Sequence, residues 1–260
     1  MNQIKIKEVL YQSPATFDEM TPKQFTLTAQ KMLQTATGTD DDTYYLSMTG
    51  IDQKCWNSLH FFHQYSIKRL FDFTSALPPL ITKQLLPCIE IDEQQFIGYQ
   101  PGFSNTTWQE FIFADQYIIN GKSKEAAACL YRPQRPDYTG ETDRRIPFTI
   151  YGANSRMHHF NNLSEPELFA FVLNYKALRK RNLEEKYPFV FVSSKQLQTD
   201  DDDNPSNSQF LIPNSQFSWI PIHRNLLGDH FFDEPKFYDL NVHVILNRLN
   251  TVIKENRKKT

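Results

Sequence analysis

Apolar residues recur at helical spacing along much of this chain. Phe25, Ala29, Met32, Leu33 and Ala36 share one face of a 3.6-residue repeat. The segment opens with Thr21-Pro22-Lys23-Gln24: a hydroxyl cap, proline at the first helical position and a glutamine three residues after the cap. These signals predict a helix from residue 22 towards Gly38 and an acidic turn at Asp40-Asp41-Asp42. Asp52 is placed to cap a longer helix with Trp56, Leu59, His63, Ile67 and Leu70 on its inner stripe, ending before Pro78-Pro79, and the pair reads as a helical hairpin. Thr107 to Glu110 repeats the capping-box pattern and opens a helix with Trp108, Phe111, Ile112, Ile118 and Ile119 on one face. Ser123 starts another, through Ala126-Ala127-Ala128 to Tyr131, stopped by Pro133 and Pro136. At Ser164-Glu165-Pro166-Glu167 a serine cap, an acidic first turn and a glutamate at the third helical position coincide, ahead of a stripe of Leu168, Phe171, Val172, Tyr175 and Leu178. A last helix is predicted from near Asp239, carrying Val242, Ile245, Leu246, Leu249, Val252 and Ile253.

Between residues 80 and 104 the helical period is lost. Pro87 and Pro101 punctuate this stretch, and Ile89-Glu90-Ile91 and Phe96 to Tyr99 read as short strands. Residues 133–162, with Pro, Gly and four Arg (Arg135, Arg144, Arg145 and Arg156), read as a long exposed excursion. The stretch 196–209 is polar, includes Asp200 to Asp203, and has too little apolar surface to offset its ordering entropy, so it reads as a flexible acidic loop. The expected fold is mainly α: a compact multi-helix body with a small β excursion around residues 80–104. It is expected as a single helical domain over 1–260, with 1–79 as a candidate N-terminal helical subdomain.

Charge changes little in this picture. Across 260 residues, 28 basic side chains face 30 acidic ones, and a net charge of -2 produces no general attraction to nucleic acid or to an anionic membrane. The first ten residues lack the apolar run of a secretion signal, and no apolar run approaches the ~18 residues of a membrane span. Cys55, Cys88 and Cys129 are odd in number, far apart and free of a C-x-x-C spacing, which suggests reduced thiols and a cytoplasmic protein. The 21 Phe and 12 Tyr against 8 Gly indicate an aromatic core, and so few glycines argue against a backbone-cradled cofactor. None is expected.

Several motifs invite chemistry. Asn120-Gly121-Lys122-Ser123 is like the end of a phosphate-binding loop, yet the first glycine of that motif would fall on Gln116, and a predicted helix precedes it in place of a strand. A turn between two helices is the better account. His60 and His63 follow Cys55 at metal-compatible spacing but lack a second pair of ligands. His158-His159, being adjacent, should point apart as surface residues. Asp200 to Asp203 lack the glycine and closing glutamate of a calcium loop. The Arg cluster of residues 132–145 has few interleaved aromatics, so a nucleic-acid face ranks below a solvated or protein-facing loop. Asp115 falls on the apolar stripe with Trp108 and Phe111, where an unpaired carboxylate is costly, and should be a structural buried charge paired with Arg132 or Arg135. No catalytic constellation is present, so an enzyme using Lys122 or His60 and His63 is the lesser reading. Beyond the acidic loop, Phe210, Leu211, Phe217 and Trp219 form an aromatic-rich unit ahead of the last helix. These four are the expected partner-binding residues, set against the alternative that Trp219 completes the core.

Three stretches carry a family resemblance: Thr107-Trp108-Gln109-Glu110-Phe111 with Ala114-Asp115-Gln116-Tyr117; Ala128-Cys129-Leu130-Tyr131-Arg132-Pro133; and Trp219 followed by a polar turn and the C-terminal amphipathic helix. Over residues 105–255 the combination resembles helical phage and prophage proteins of the tail-assembly-chaperone type, encoded beside the tape-measure protein. The resemblance implies a cytoplasmic, non-enzymatic protein that shields an aggregation-prone tail protein of tape-measure type during virion assembly. The first 105 residues match no such pattern, which leaves a structural component of the virion tail or connector as the alternative.

Overall fold

A computed structural model of the chain describes residues 1–34, 42–75, 79–140, 143–191, 218–228 and 233–257. The acidic loop at 196–209, and with it Phe210, Leu211 and Phe217, lies outside the described residues. Eleven α-helices and two antiparallel hairpins make up the regular structure of the described residues apart from short 3-10 and π turns, so the chain is mainly α, as its periodicity indicates. No described helix is long and apolar enough to cross a membrane. The chain divides into two compact units.

The first unit comprises Met1–Leu85 with Ser164–Ala177. It opens with a hairpin, β1 (Asn2–Ile6) and β2 (Val9–Ser13), joined at Lys7, which adopts a positive φ of 53°. Helix α1 (Pro22–Gln34) starts on the predicted capping box: Gln24 N–H donates to Thr21 Oγ1 at 3.2 Å, and Thr21 N–H donates back to Gln24 Oε1 at 3.0 Å. Its hairpin partner is not the expected one. Helix α2 (Asp42–Thr49) forms where an acidic turn was anticipated, and Thr28 and Lys31 of α1 reach the Tyr44 and Tyr45 hydroxyls at 3.2 and 2.7 Å. Asp42 begins that helix, where a carboxylate complements the helix dipole, and also accepts from the Trp56 indole and pairs with Lys68.

The long helix expected after Asp52 is two helices, α3 (Gln53–Ser58) and α4 (Phe61–Arg69). They break because His60 is extended at φ -64°, ψ 146° and caps α4 with its own ring nitrogen, which accepts from Phe62 N–H. His63, placed on the inner stripe by its spacing, is therefore exposed. Helix α8 (Glu165–Arg179) supplies the rest of this unit with its residues up to Ala177, and Ser164 N–H donates to Glu167 Oε2 at 2.7 Å, the returning half of the predicted capping box. Phe171 and Tyr175 are fully buried, and buried Asn174 accepts from Leu85 N–H at 3.1 Å.

The second unit comprises Leu86–Leu163 and Leu178–Thr260. The predicted β excursion is a hairpin of β3 (Cys88–Ile91) and β4 (Gln94–Ile97). Gly98 follows it, and a Cβ there would meet the Tyr131 ring at 2.8 Å, so the ring packs directly on backbone. Helices α5 (Trp108–Ile119) and α6 (Ser123–Leu130) join at Gly121, with φ 71°, which is the expected turn between helices. Residues 133–162 are not simply an exposed excursion: they include α7 (Ile150–Phe160), and Arg145 and Arg156 are buried. A π turn over Lys180–Glu184 follows α8. Helices α9 (Trp219–Leu227), α10 (Glu234–Asp239) and α11 (Val242–Arg257) complete the unit. On α11, Val242, Ile245, Leu246 and Leu249 are buried as the stripe requires, whereas Val252 is exposed.

Candidate functional site

Around α5 the second unit gathers most of its buried polar chemistry. Thr107 caps α5 by accepting from Glu110 N–H at 3.2 Å, the first half of a capping box. The second half does not form. The Glu110 side chain turns inward, becomes fully buried, and accepts from Arg145 Nη1 at 2.7 Å and Arg132 Nη2 at 3.0 Å. Asp143 closes the group, accepting from Arg145 Nε at 3.0 Å and Arg132 Nη2 at 3.2 Å. Arg145 also donates to the carbonyls of Leu130 and Asn105, and Arg132 to that of Ile146. Two acids thus balance two guanidiniums, Glu110 fully buried and Asp143 half-buried, and each acid uses both oxygens.

The electrostatic consequences are uneven. Burial pulls the Arg145 guanidinium down, but Glu110 and then Asp143 outweigh it and hold that group above its ordinary value. Burial dominates at Arg132, which is lowered despite Glu110, in part because Arg145 lies beside it. Arg156 is lowered to about 10 by burial and then by Arg132; it donates to the Ala128 carbonyl at 3.1 Å. Cys129, between these groups, has its thiol pushed strongly up by burial, which disfavours the thiolate. The cluster ties residues 132–146 to α5 and α6. It also corrects the reading of this Arg cluster as a solvated or nucleic-acid-facing loop at Arg132 and Arg145, which are 1% exposed, whereas Arg144 is exposed.

Asp115, one turn further along α5, is buried as its place on the stripe implies, but its partner is neither Arg132 nor Arg135. Arg132 is taken by Glu110, and Arg135 pairs with Asp137. Asp115 instead sits with Oδ1 at 2.7 Å from Arg179 Nε, while Oδ2 accepts from the Trp219 indole at 2.7 Å. Arg179 also pairs with Glu184 and lies over the Phe191 ring. Trp219, expected among the partner-contacting aromatics, is 1% exposed and packs on Trp108 and Phe111 at centroid distances of 5.4 and 5.3 Å. Of the four residues proposed to meet a partner, it is the one described, and it is a core residue.

The remaining sequence candidates stay apart. Lys122 precedes α6 after a helix, without the strand that a phosphate loop requires. His60 and His63 have ring centroids 6.4 Å apart at the start of α4, and no group of three or more His, Cys, Asp or Glu able to hold a metal occurs among the described residues. His158 and His159 do not point apart: their ring centroids lie 3.9 Å from each other, because successive residues on a helix are separated by about 100° and not by 180°.

What the sequence reading missed is a surface. On α4, Phe61 and Phe62 are each 67% exposed and Tyr65 is 52% exposed. Phe61 stacks on Tyr65 with centroids 6.3 Å apart and meets Phe62 edge-on at 5.8 Å, while His60 stacks on Phe62 at 5.3 Å. The available signal was the conflict of pattern: three aromatics at i, i+1 and i+4 fall off the Trp56 and Ile67 stripe. No protein-family model, curated protein or solved structure matches this chain.

Proposed function

We propose that this protein is a non-enzymatic assembly factor of the tail-assembly-chaperone kind, and that it acts by laying the aromatic face of α4 against an amphipathic helix of a long helical tail protein of tape-measure type. The observation that carries this reading is the exposed stack of Phe61, Phe62 and Tyr65. Clustered large aromatics in solvent are the signature of a recognition surface, and they supply most of the binding energy where such surfaces are buried. Rings at i, i+1 and i+4 form a stripe along the helix axis, complementary to the apolar stripe of a second helix.

The buried polar groups support the non-enzymatic part. Glu110, Asp115 and both nitrogens of His223 and of His243 are engaged by fixed partners inside the fold. A general acid or base needs a nitrogen or oxygen facing substrate.

Co-expression with a long helical protein encoded in the neighbouring reading frame tests the proposal. The wild-type chain is expected to keep that protein soluble and to co-purify with it, and a variant combining Phe61→Ser, Phe62→Ser and Tyr65→Ser is expected to remain folded by circular dichroism and lose the client. Equal capture by the variant sinks the α4 interface, and the lack of any such client beside the coding frame sinks the assembly role. Persistence of the chain in purified particles would identify a virion component instead.

A further inference from the structure

His223 on α9 is 2% exposed, and both its ring nitrogens are used. Nδ1 lies 3.1 Å from the Trp108 indole Nε1, a group that can only donate, so Nδ1 is an unprotonated acceptor. The ring proton therefore sits on Nε2, which donates to Glu234 Oε1 at 3.2 Å. Only the neutral imidazole with its proton on Nε2 serves both partners. An imidazolium would set an Nδ1–H against the indole N–H.

His243 on α11 shows that this constraint is specific. Its Nδ1 faces the Tyr187 hydroxyl at 2.8 Å and its Nε2 the Gly102 carbonyl at 2.5 Å. A hydroxyl can turn from donor to acceptor, so a protonated His243 keeps both bonds. An indole cannot turn.

The groups around His223 decide what moves. From α10 come Glu234 and Tyr238; the Tyr238 ring stacks on the imidazole at 4.4 Å, with its hydroxyl raised to about 12 by burial and then by Glu234. Arg224 on α9 and Tyr117 on α5 share the adjoining groove with them, Asp115 is held by Trp219 and Arg179, and Lys236 is paired with Asp233. The groove has a volume of about 270 Å³, and Ile112, Phe113, Trp219 and Ile220 form much of its wall. Helix α9 is pinned to α5 by the Trp219 indole on Asp115, and the residue after α10 by Trp108 N–H donating to the Leu240 carbonyl at 2.7 Å. The Trp108–His223 bond holds α9 one turn after Trp219.

We propose that His223 is a proton-operated latch on this groove: neutral, it ties α9 to Trp108, and on taking one proton from solvent it stays with Glu234, releases Trp108 and lets the His223 turn of α9 move off α5. The Trp219–Asp115 and Trp108–Leu240 bonds serve as pivots. The release occurs below the ordinary imidazole range, because burial holds His223 down and Glu234 opposes this only in part. The latch is independent of the client proposed for α4.

The test follows the three indole N–H signals of the full ¹⁵N-labelled chain as pH is lowered from about 7.5 to about 5. The Trp108 signal, identified by its loss in Trp108→Phe, is expected to shift and exchange faster with water. Those of Trp56 and Trp219, bonded to Asp42 and Asp115, should hold their positions. In His223→Asn the amide oxygen replaces Nδ1 as acceptor without a titrating proton, so the Trp108 response should vanish. A Trp108 signal that stays still, that titrates equally in His223→Asn, or that moves only with the other two indoles overturns the latch. Should His223→Asn fail to fold, the imidazole carbon signals of the wild-type chain decide: the His223 midpoint must coincide with that of Trp108, and a different midpoint rejects the proposal.

Discussion

Phe61, Phe62 and Tyr65 on α4 touch one another in solvent, whereas Trp108 on α5 and Trp219 on α9 are sealed among Phe111 and Phe191. Both groups are aromatic clusters of similar size, and the difference lies in their polar atoms. Each buried indole N–H has a fixed acceptor, His223 for Trp108 and Asp115 for Trp219, so moving either ring leaves a buried donor or carboxylate unsatisfied. The Phe rings of α4 carry no such obligation. They can exchange contacts with each other for contacts with a partner, losing no hydrogen bond and gaining burial. An aromatic cluster is thus free for recognition or committed to the core according to whether its polar atoms are already spoken for.

The comparison is tested most severely at Glu110. Replacing it by Gln leaves two buried guanidiniums to share the Asp143 carboxylate, and the expected loss is about 3–5 kcal/mol of unfolding free energy, read by chemical denaturation. A loss near zero would mean that the cluster is a dispensable ornament of the core.

Asp115→Asn should cost roughly 2–3 kcal/mol, less than Glu110→Gln because Arg179 keeps Glu184 as a partner and an amide oxygen still accepts from the Trp219 indole. A red-shifted tryptophan emission spectrum would accompany it if Trp219 loosens. No change in either quantity would detach Trp219 from its assigned anchor.

A gentler perturbation is acidification. The His223 imidazole is lower in the folded chain than in the unfolded one, so the unfolded state binds the proton first. Its contribution to stability is full above the ordinary imidazole value of 6.5 and is lost as pH falls through the lowered folded value. Wild-type denaturation midpoints should therefore drop across that window more than those of His223→Asn, and parallel curves for the two proteins would refute the assignment.

The smallest effect belongs to the surface. The combined Phe61, Phe62 and Tyr65 replacement by Ser should change stability by no more than about 0.5 kcal/mol per site, since these rings are mostly solvated already. A loss of several kcal/mol would show that α4 is part of a core and that the contrast between the two clusters is false.

How much of this was legible beforehand depends on the reach of the interaction. The caps at Thr21, Thr107 and Ser164 were readable because each joins residues three apart, and all three open helices. The β3–β4 hairpin was legible for a similar reason. The β1–β2 hairpin carries a weaker signal: Ile4 and Ile6 alternate with Lys5 and Lys7, but adjacent Val9 and Leu10 are both exposed and break the alternation in β2. Helix α2 was hidden behind Asp40-Asp41-Asp42, which read as a turn, while Asp42 in fact opens the helix. The break between α3 and α4 was masked by a stripe that continues across it from Trp56 to Ile67.

The sequence by itself determined where helices begin, which faces are apolar, and that Asp115 needs a partner, since these follow from spacings within a few turns of helix and from the cost of burying a bare carboxylate. Tertiary structure alone decided that the partner is Arg179, 64 residues away, that Glu110 turns from its helix cap to Arg132 and Arg145, and that Trp219 faces inward while Phe61 and Phe62 face out. An arginine within reach in sequence and one within reach in space are indistinguishable until the chain has closed its loops. Which donor meets which acceptor is settled by packing and desolvation acting together in the folded chain.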